Sequence, residues 1–247
     1  MNREAGFSLI EALVVVAVFT VITGVVFMML NVAQQRYKME SEVLDSFQGA
    51  RLAVDQLNTD VHSAGYPAGN ALSSDALAAS SVNVTASPFA WSPSYPAAPC
   101  AIGACTSPDS YDLIIERDVD PENLNGVEWV RYRLNGTTLE RAVVSKVMGA
   151  DPIAATGAAF VPYVENVINN PGATIINRVR ASYPSMFPSG AVPVFRYRID
   201  PSLPNTPPNI SEVDITLIVM ARNPDPRTGQ LRVVTLNARA KRINPGQ

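Results

Sequence analysis

The chain has 247 residues, of which 47 % are hydrophobic and 17 % are charged, a balance typical of a protein that folds around a sizeable core. Its formal net charge is −3 and no run of Lys or Arg occurs, which argues against nucleic acid as a partner. No serine-hydrolase elbow, zinc-protease or P-loop motif occurs, so we expect neither an enzyme nor a cofactor.

A long apolar segment lies near the amino terminus. Residues 12–30 read ALVVVAVFTVITGVVFMML and contain no charge. At about 1.5 Å per residue, a helix of this length spans roughly 28 Å, which matches a bilayer core. A cleaved secretory signal would be shorter and would end in a small-x-small site, and no such site follows Leu30. We therefore predict a transmembrane helix that stays on the mature protein.

A single carboxylate stands at the head of this segment. Glu11 extends a turn that is otherwise mostly apolar, and no Lys or Arg lies nearby in the same helix. An acid at membrane depth costs on the order of 2.5–3.5 kcal/mol and calls for a cationic partner. The residues alone leave two interpretations: Glu11 has a functional partner outside its own helix, or it is solvated at the level of the lipid headgroups.

Residues 6–11 read Gly-Phe-Ser-Leu-Ile-Glu and lead directly into the apolar helix. In this pattern the chain resembles the precursors of type IV pilins and of type II secretion pseudopilins. The resemblance implies that a prepilin peptidase removes the leader, residues 1–6, by cutting between Gly6 and Phe7, and then methylates the new amine of Phe7. It also implies that Glu11 pairs with the terminal amine of a neighbouring subunit, which supplies the missing cation.

One helix is predicted to continue well beyond the apolar segment. No proline occurs before residue 67, and apolar residues recur at spacings of three and four from residue 39 to residue 61. The membrane half, 7–30, thus leads into an amphipathic half, 31–65, which Gly65 and Pro67 terminate. By resemblance, the membrane half can unwind locally on assembly, and Gly24 is the expected position. The charged residues off the apolar stripe are expected to face solvent or another subunit: Glu40, Glu42, Asp45, Arg51, Asp55 and Asp60.

The rest of the chain, residues 66–247, is predicted to form a β-rich globular domain. Residues 68–109 are rich in Ala, Ser and Pro without periodicity, which indicates an irregular insertion. The pair Asn135-Gly136 between two alternating segments indicates a hairpin. Strands are predicted at residues 112–117, 126–134, 137–144, 194–199, 212–220 and 231–241. The expected class is therefore α+β and pilin-like, with a long amino-terminal helix packed on an antiparallel sheet.

The insertion carries the only two cysteines and two aromatic residues. Cys100 and Cys105 have no second pair and no nearby histidine, so we predict a disulfide and not a zinc site. A disulfide in turn indicates an oxidising compartment such as a periplasm. Trp91 and Tyr95 are expected to pack the insertion onto the domain, with exposed contacts to a partner as the alternative.

Two further features have ordinary interpretations that we favour. Residues 118–123 resemble the start of a calcium-binding EF-hand loop, but Asn123 replaces the required glycine and Trp129 stands where a bidentate acid is needed. A polar turn is favoured there, with calcium binding as the alternative and no metal site predicted. His62, the only histidine, is expected to be a plain helix-terminal residue.

Scattered motifs in the domain resemble those of PilW-type minor pilins, and the GspJ-type minor pseudopilins share much of this pattern. The length of the chain and its insertion favour a minor over a major subunit. The resemblance implies four partners: the prepilin peptidase, other major and minor pilins, an inner-membrane assembly platform and membrane lipid. It implies an inner-membrane protein with a periplasmic domain that later enters a filament. Two alternatives stay open, a minor pseudopilin of a type II secretion system and a membrane-tethered adhesin or binding domain.

Overall fold

The structure, a computed structural model, describes residues 8–67, 81–122, 126–170, 172–187, 190–225 and 228–243. Its first element, helix α1, spans Leu9–His62. The chain divides into two compact units, Met1–Leu44 and Asp45–Gln247, and α1 contributes residues to both. In the first unit every described residue from Leu9 onwards is helical.

The second unit contains two antiparallel sheets. The first has five strands in the order β1-β2-β3-β4-β5, and the second has three in the order β6-β7-β8. The strands of the first sheet are β1 Phe89–Ala90, β2 Asp112–Arg117, β3 Glu128–Asn135, β4 Thr138–Ser145 and β5 Val161–Val164. Those of the second are β6 Phe195–Ile199, β7 Ile210–Met220 and β8 Val233–Lys241.

Two short helices and one turn complete the described elements of this unit. Helix α2, Pro152–Thr156, is capped by Asp151, whose side chain accepts bonds from the N–H groups of Ile153 and Ala154. Helix α3, Ala173–Ser182, precedes the second sheet, and a 3-10 turn spans Pro207–Asn209. The proline at the first position of α2 fits a helix start, where its missing N–H is not needed.

One hydrophobic core joins α1 to both sheets. The last turns of α1 bury a stripe at spacings of three and four, because only one side of a helix faces the core. This stripe comprises Ala50, Ala53, Val54, Leu57 and Val61. From the first sheet it meets Leu113, Ile115, Val130 and Tyr132, and from the second Val213, Ile215 and Leu217. A further cluster beneath α3 contains Val179, Phe187 and Ile218.

The α+β class and the long amino-terminal helix are confirmed, and the domain differs from the expectation in the number of its sheets and in several short elements. The strands form two sheets where the sequence suggested one, and β1, β5, α2 and α3 were not predicted. The hairpin is confirmed, since Asn135 pairs with Thr138 across Gly136, whose φ is +60°. Helix α1 ends at His62, and Gly65 follows with φ +82°.

Candidate functional site

The predicted cleavage site itself, Gly6 and Phe7, lies outside the described residues. Immediately after it, the carbonyl oxygen of Ser8 accepts bonds from the N–H groups of Glu11, at 3.0 Å, and Ala12, at 3.1 Å. Glu11 therefore lies in the first turn of α1. Its carboxylate is favourably placed there, because the amino-terminal end of a helix carries partial positive charge.

In the apolar segment after Glu11, side chains are exposed on every side of α1. Val14, Val15 and Val16 are 55 %, 55 % and 63 % exposed, although successive residues point about 100° apart around a helix. The most apolar 18-residue window of α1 has a mean hydropathy of 2.8 and contains no buried residue. This helix is thus long and apolar enough to cross a membrane. A helix that is apolar all round needs lipid or other protein around it.

Glu11 is the only charged residue between residues 8 and 35. The next cation along the chain, Arg36, lies 25 residues further on, which is about 37 Å along a helix. No side chain of this segment can therefore neutralise Glu11. A cation for Glu11 must therefore come from the residues before this segment or from another molecule.

A buried carboxylate marks the opposite end of α1. Asp60 was expected to face solvent or another subunit, and this expectation is wrong, because its side chain is fully buried. Its Oδ1 lies 2.8 Å from Nη1 of Arg117 in β2, and its Oδ2 lies 3.2 Å from Nη2 of Arg141 in β4. Tyr132 in β3 donates its hydroxyl to Oδ2 at 2.6 Å. Three strands thus supply the partners that make burial of this charge tolerable.

The same cluster changes the protonation of Tyr132. Burial raises the pKa of the Tyr132 hydroxyl well above its ordinary value, and the negative charge of Asp60 raises this pKa further. The neighbouring Arg141 acts in the opposite direction, because a cation favours the charged phenolate. Tyr132 therefore stays a hydrogen-bond donor to Asp60 throughout the physiological pH range.

Two more buried ion pairs lie within the first sheet and at its margin. Lys146 Nζ lies 2.8 Å from Glu116 Oε1, and both side chains are almost completely buried. Tyr95 and Trp129 donate to the other oxygen of Glu116, so each side of this carboxylate has a partner. In the second pair Arg131 Nη2 lies 2.5 Å from Asp112 Oδ2. These charges satisfy one another inside the fold, which suits a structural role.

The insertion is packed against this sheet. Trp91 and Tyr95 are 4 % and 9 % exposed and stack edge to face at 4.9 Å, so the prediction that they pack the insertion onto the domain is confirmed. Cys100 and Cys105 are joined by a disulfide, with their Cα atoms 5.4 Å apart. Strand β1 extends the sheet through Phe89. The part of the insertion at residues 68–80 lies outside the described residues.

The remaining candidates have ordinary surroundings. In the EF-hand-like segment the N–H of Asp120 bonds to Oδ1 of Asp118 at 3.1 Å, as in a polar turn, and Trp129 is buried in β3. Asn123 lies outside the described residues. Within the described ranges no group of three His, Cys, Asp or Glu side chains is arranged to hold a metal. The carbonyl oxygen of His62 accepts a bond from Ile243, at 3.3 Å.

A comparison with protein families matches residues 1–27 to the prokaryotic N-terminal methylation motif. The match covers the leader, the predicted cleavage site, Glu11 and most of the apolar segment. Comparisons with curated proteins and with solved structures found no match. The amino terminus is thus of the type IV prepilin kind, and this supports placing the chain in the general pilin or pseudopilin class.

Proposed function

We propose that this chain is a minor pilin of a type IV pilus, of the PilW-like kind, which primes filament assembly or is incorporated into the filament. A prepilin peptidase cuts between Gly6 and Phe7 and methylates the amine of Phe7. The protein is held in the inner membrane by its apolar helix, with the domain in the periplasm, until an assembly platform passes it into the fibre. Its partners there are the other major and minor pilins.

The observation that carries this proposal is the position of Glu11. It is the only charge between residues 8 and 35, a stretch that begins within the methylation motif and whose apolar side chains are exposed all round. A transmembrane anchor needs no such charge, and the charge is costly in lipid. A filament subunit benefits from it, because a carboxylate near the processed terminus can bind a cation on the next subunit.

Processing supplies that cation. Cleavage after Gly6 creates an α-amine, whose ordinary pKa of about 7.7–8.0 keeps it mostly positive at neutral pH. Paired with Glu11 of a neighbour, it removes two isolated charges from the apolar core of the fibre. Because breaking a buried pair costs about 3–5 kcal/mol, the pair would also set the axial register of the subunits.

The minor role is supported by the build of the domain. The second unit spans residues 45–247 and carries two sheets together with a disulfide-closed insertion. So large and irregular a domain suits a subunit present in few copies better than one packed many times along a shaft. The same domain would also suit a minor pseudopilin, and the two roles differ in what their loss abolishes: surface pili in one case, secreted enzymes in the other.

The first experiment tests processing. Gly6→Leu should block the peptidase, because bulk at this position prevents the backbone from fitting the cleft. The purified variant should keep its six leader residues and lack methylation in an intact-mass measurement. Glu4→Ala, a change elsewhere in the leader, serves as the control and should be processed normally. Normal cleavage of Gly6→Leu would contradict the proposal.

The second experiment tests assembly. Glu11→Ala should insert into the membrane and be cut normally, yet be missing from sheared filaments, since the terminal amine loses its partner. Glu40→Ala, on the same helix outside the apolar segment, is the matched control. If Glu11→Ala entered filaments at the normal level, or if the wild-type chain were never found in them, a tethered binding domain would explain the molecule better.

A further inference from the structure

The edge strands of the two sheets differ in how they are protected against pairing with another strand. Strand β1 has two residues, and β5 has four, includes Pro162 and pairs with a register shift. Strand β6 has five residues and also a register shift, and the N–H of Phe195 at its start bonds to the carbonyl oxygen of Ser110 at 3.0 Å. Short length, proline, bulges and covering loops are the usual means by which proteins close a sheet edge.

Strand β8 has none of these four features, and its only edge protection of another kind is the charge of Arg239 and Lys241. It is nine residues long, contains no proline and pairs with β7 in one unbroken register from Val233 to Lys241. Within the described ranges, no backbone group lies on its other side to bond with it. A long, regular edge of this kind is a template for another strand.

The register between β7 and β8 shows which backbone N–H and C=O groups of β8 are available to a further strand. The N–H of Ala221 bonds to the carbonyl oxygen of Arg232, and the N–H of Arg242 bonds to that of Ser211. Hydrogen bonds in an antiparallel ladder recur at every second residue, so the even-numbered residues of β8 point their backbone groups at β7. The odd-numbered ones therefore point theirs outwards, at Val233, Thr235, Asn237, Arg239 and Lys241.

The side chains of β8 alternate in the same way. Leu236 and Ala238 face the core and are only half-buried, although Ala240 beside them is fully buried. An added strand would cover Leu236 and Ala238 with its own core-facing side chains. On the opposite face Asn237, Arg239 and Lys241 are exposed.

The exposed face is positively charged next to this edge. Two cross-strand rungs carry four cations and two carboxylates: Arg198, Glu212 and Lys241 in one, and Arg196, Asp214 and Arg239 in the other. Arg198 and Arg239 both bind Asp214 through their Nε atoms, at 2.7 Å and 2.6 Å. Because each guanidinium uses only its Nε in this contact, its terminal nitrogens remain donors that can bind further carboxylates.

We propose that β8 is a docking edge, to which an extended segment of a different filament subunit adds as a further antiparallel strand. The segment alternates apolar residues, which cover Leu236 and Ala238, with acidic residues, which face Arg239 and Lys241. Backbone hydrogen bonds supply affinity and the alternation supplies specificity. The inference rests on the proposed filament function and adds where and by what chemistry the domain meets its neighbour.

Charge argues against a second copy of this chain as the occupant. Parallel pairing of two β8 strands would place Arg239 beside Arg239 and Lys241 beside Lys241. Antiparallel pairing centred on Asn237 would set Arg239 opposite Thr235 and Lys241 opposite Val233, and so would offer these cations no carboxylate. Like charges directly opposite each other are destabilising, whereas an acidic partner strand supplies the missing counter-charges.

Amide hydrogen exchange on the full chain tests the edge directly. In detergent, the amides of Leu236 and Ala238 should exchange slowly, because they bond to β7, and those of Thr235, Asn237 and Arg239 should exchange fast. In filaments that contain the chain, we expect the odd-numbered amides to slow by at least about tenfold, since each gains a strand partner. Fast exchange of these amides in filaments would overturn the proposal.

A proline substitution tests the same edge by a second route. Asn237→Pro removes an N–H that points away from β7, so no ladder bond is lost, but the ring blocks a strand that approaches from outside. Asn237→Ala is the matched control, because it loses the same side chain and keeps the N–H. We expect Asn237→Pro to reduce incorporation into filaments at least about tenfold relative to Asn237→Ala, with normal processing and membrane insertion.

A photo-crosslinker at Thr235 in the otherwise unchanged chain identifies the occupant and does not depend on how well the proline variant folds. The expected product joins Thr235 to a segment of another pilin with alternating apolar and acidic residues. A crosslink to β8 of a second copy, or equal incorporation of Asn237→Pro and Asn237→Ala, would overturn the docking edge while the wild-type chain still entered filaments. Absence of the wild-type chain from filaments would instead refute the proposed function.

Discussion

The two parts of α1 share one secondary structure and have opposite environments. From Leu9 to Leu44 no residue is buried, and the large apolar side chains of the membrane half are mostly more than half exposed. From Asp45 to His62 a narrow stripe is fully buried and the other side is polar. Helix formation therefore does not distinguish them. The second part takes its apolar contacts from its own domain, and the first has to take them from lipid or from other protein.

The largest loss of stability is expected from a substitution of Asp60, the buried carboxylate near the end of α1. Asp60→Asn leaves Arg117 and Arg141, which are partly buried, without their shared counter-charge, so we expect the free energy of unfolding to fall by about 3–5 kcal/mol. Urea unfolding of the full chain in detergent, followed by tryptophan fluorescence, reports on this domain because both tryptophans lie in it. Asp55→Asn, at an exposed position on the same helix, should change the value by less than about 0.5 kcal/mol. Similar losses for both would contradict the structural role of Asp60.

Shortening one apolar side chain in each part of α1 compares their contributions to stability more directly. Leu57 is fully buried, and Leu57→Ala should destabilise the domain by about 2–5 kcal/mol through lost burial and a residual cavity. Val21 is 67 % exposed, and Val21→Ala should leave the same unfolding curve unchanged. A measurable shift with Val21→Ala would mean that the domain, and not only the surroundings, supports the membrane half.

Elements whose structure follows from a single local rule could be predicted from the sequence. The stripe from Ala50 to Val61 follows helical spacing, and Asn135-Gly136 requires the backbone of a tight hairpin, so both were predicted. The strands that were missed are short or interrupted. Strand β1 has only two residues, and β5 contains Pro162, which is unfavourable inside a sheet.

Asp60 shows why part of the site could not be read from the sequence. Helical spacing places it beside the apolar stripe, and an acid there normally faces water. Its burial depends on Arg117 and Arg141, which lie 57 and 81 residues further along the chain. The arginines within the predicted strands were the only available signal, and without the pairing of the strands they indicated no common partner. Glu11, in contrast, could be proposed from the sequence because its own segment contains nothing that could neutralise it.

Tyr132, which bonds to Asp60, should make the stability of the domain depend on pH in the alkaline range. Burial and Asp60 raise the pKa of this tyrosine in the folded protein above the value of about 10 in the unfolded chain. Above pH 10 the unfolded chain therefore loses a proton that the folded chain keeps, so stability falls as the pH rises. Tyr132→Phe should cost about 1–3 kcal/mol at neutral pH, because Asp60 loses a donor, and should make this alkaline decline less steep.

Urea unfolding of wild type and Tyr132→Phe at a series of pH values from 7 upwards checks both parts of this expectation. Tyr95 and Tyr197 also have pKa values raised by burial, so the variant should keep part of the alkaline decline. Equal slopes for the two proteins would show that Tyr132 is accessible to solvent in the folded domain, against the buried cluster at the end of α1.

The smallest effect, and the only stabilising one, is expected at the two glycines of α1. A methyl group added at Gly24 or Gly49 meets no atom within 4 Å. Gly49→Ala should therefore raise the free energy of unfolding by about 0.5–1 kcal/mol, because alanine loses less backbone freedom on forming a helix. Gly24→Ala lies in the first unit and should leave the unfolding of the domain unchanged. If the membrane half unwinds at Gly24 during assembly, Gly24→Ala should lower incorporation into filaments, because alanine opposes the loss of helix there. Gly49→Ala should not lower it. Equal incorporation of both variants would mean that assembly does not require unwinding at Gly24.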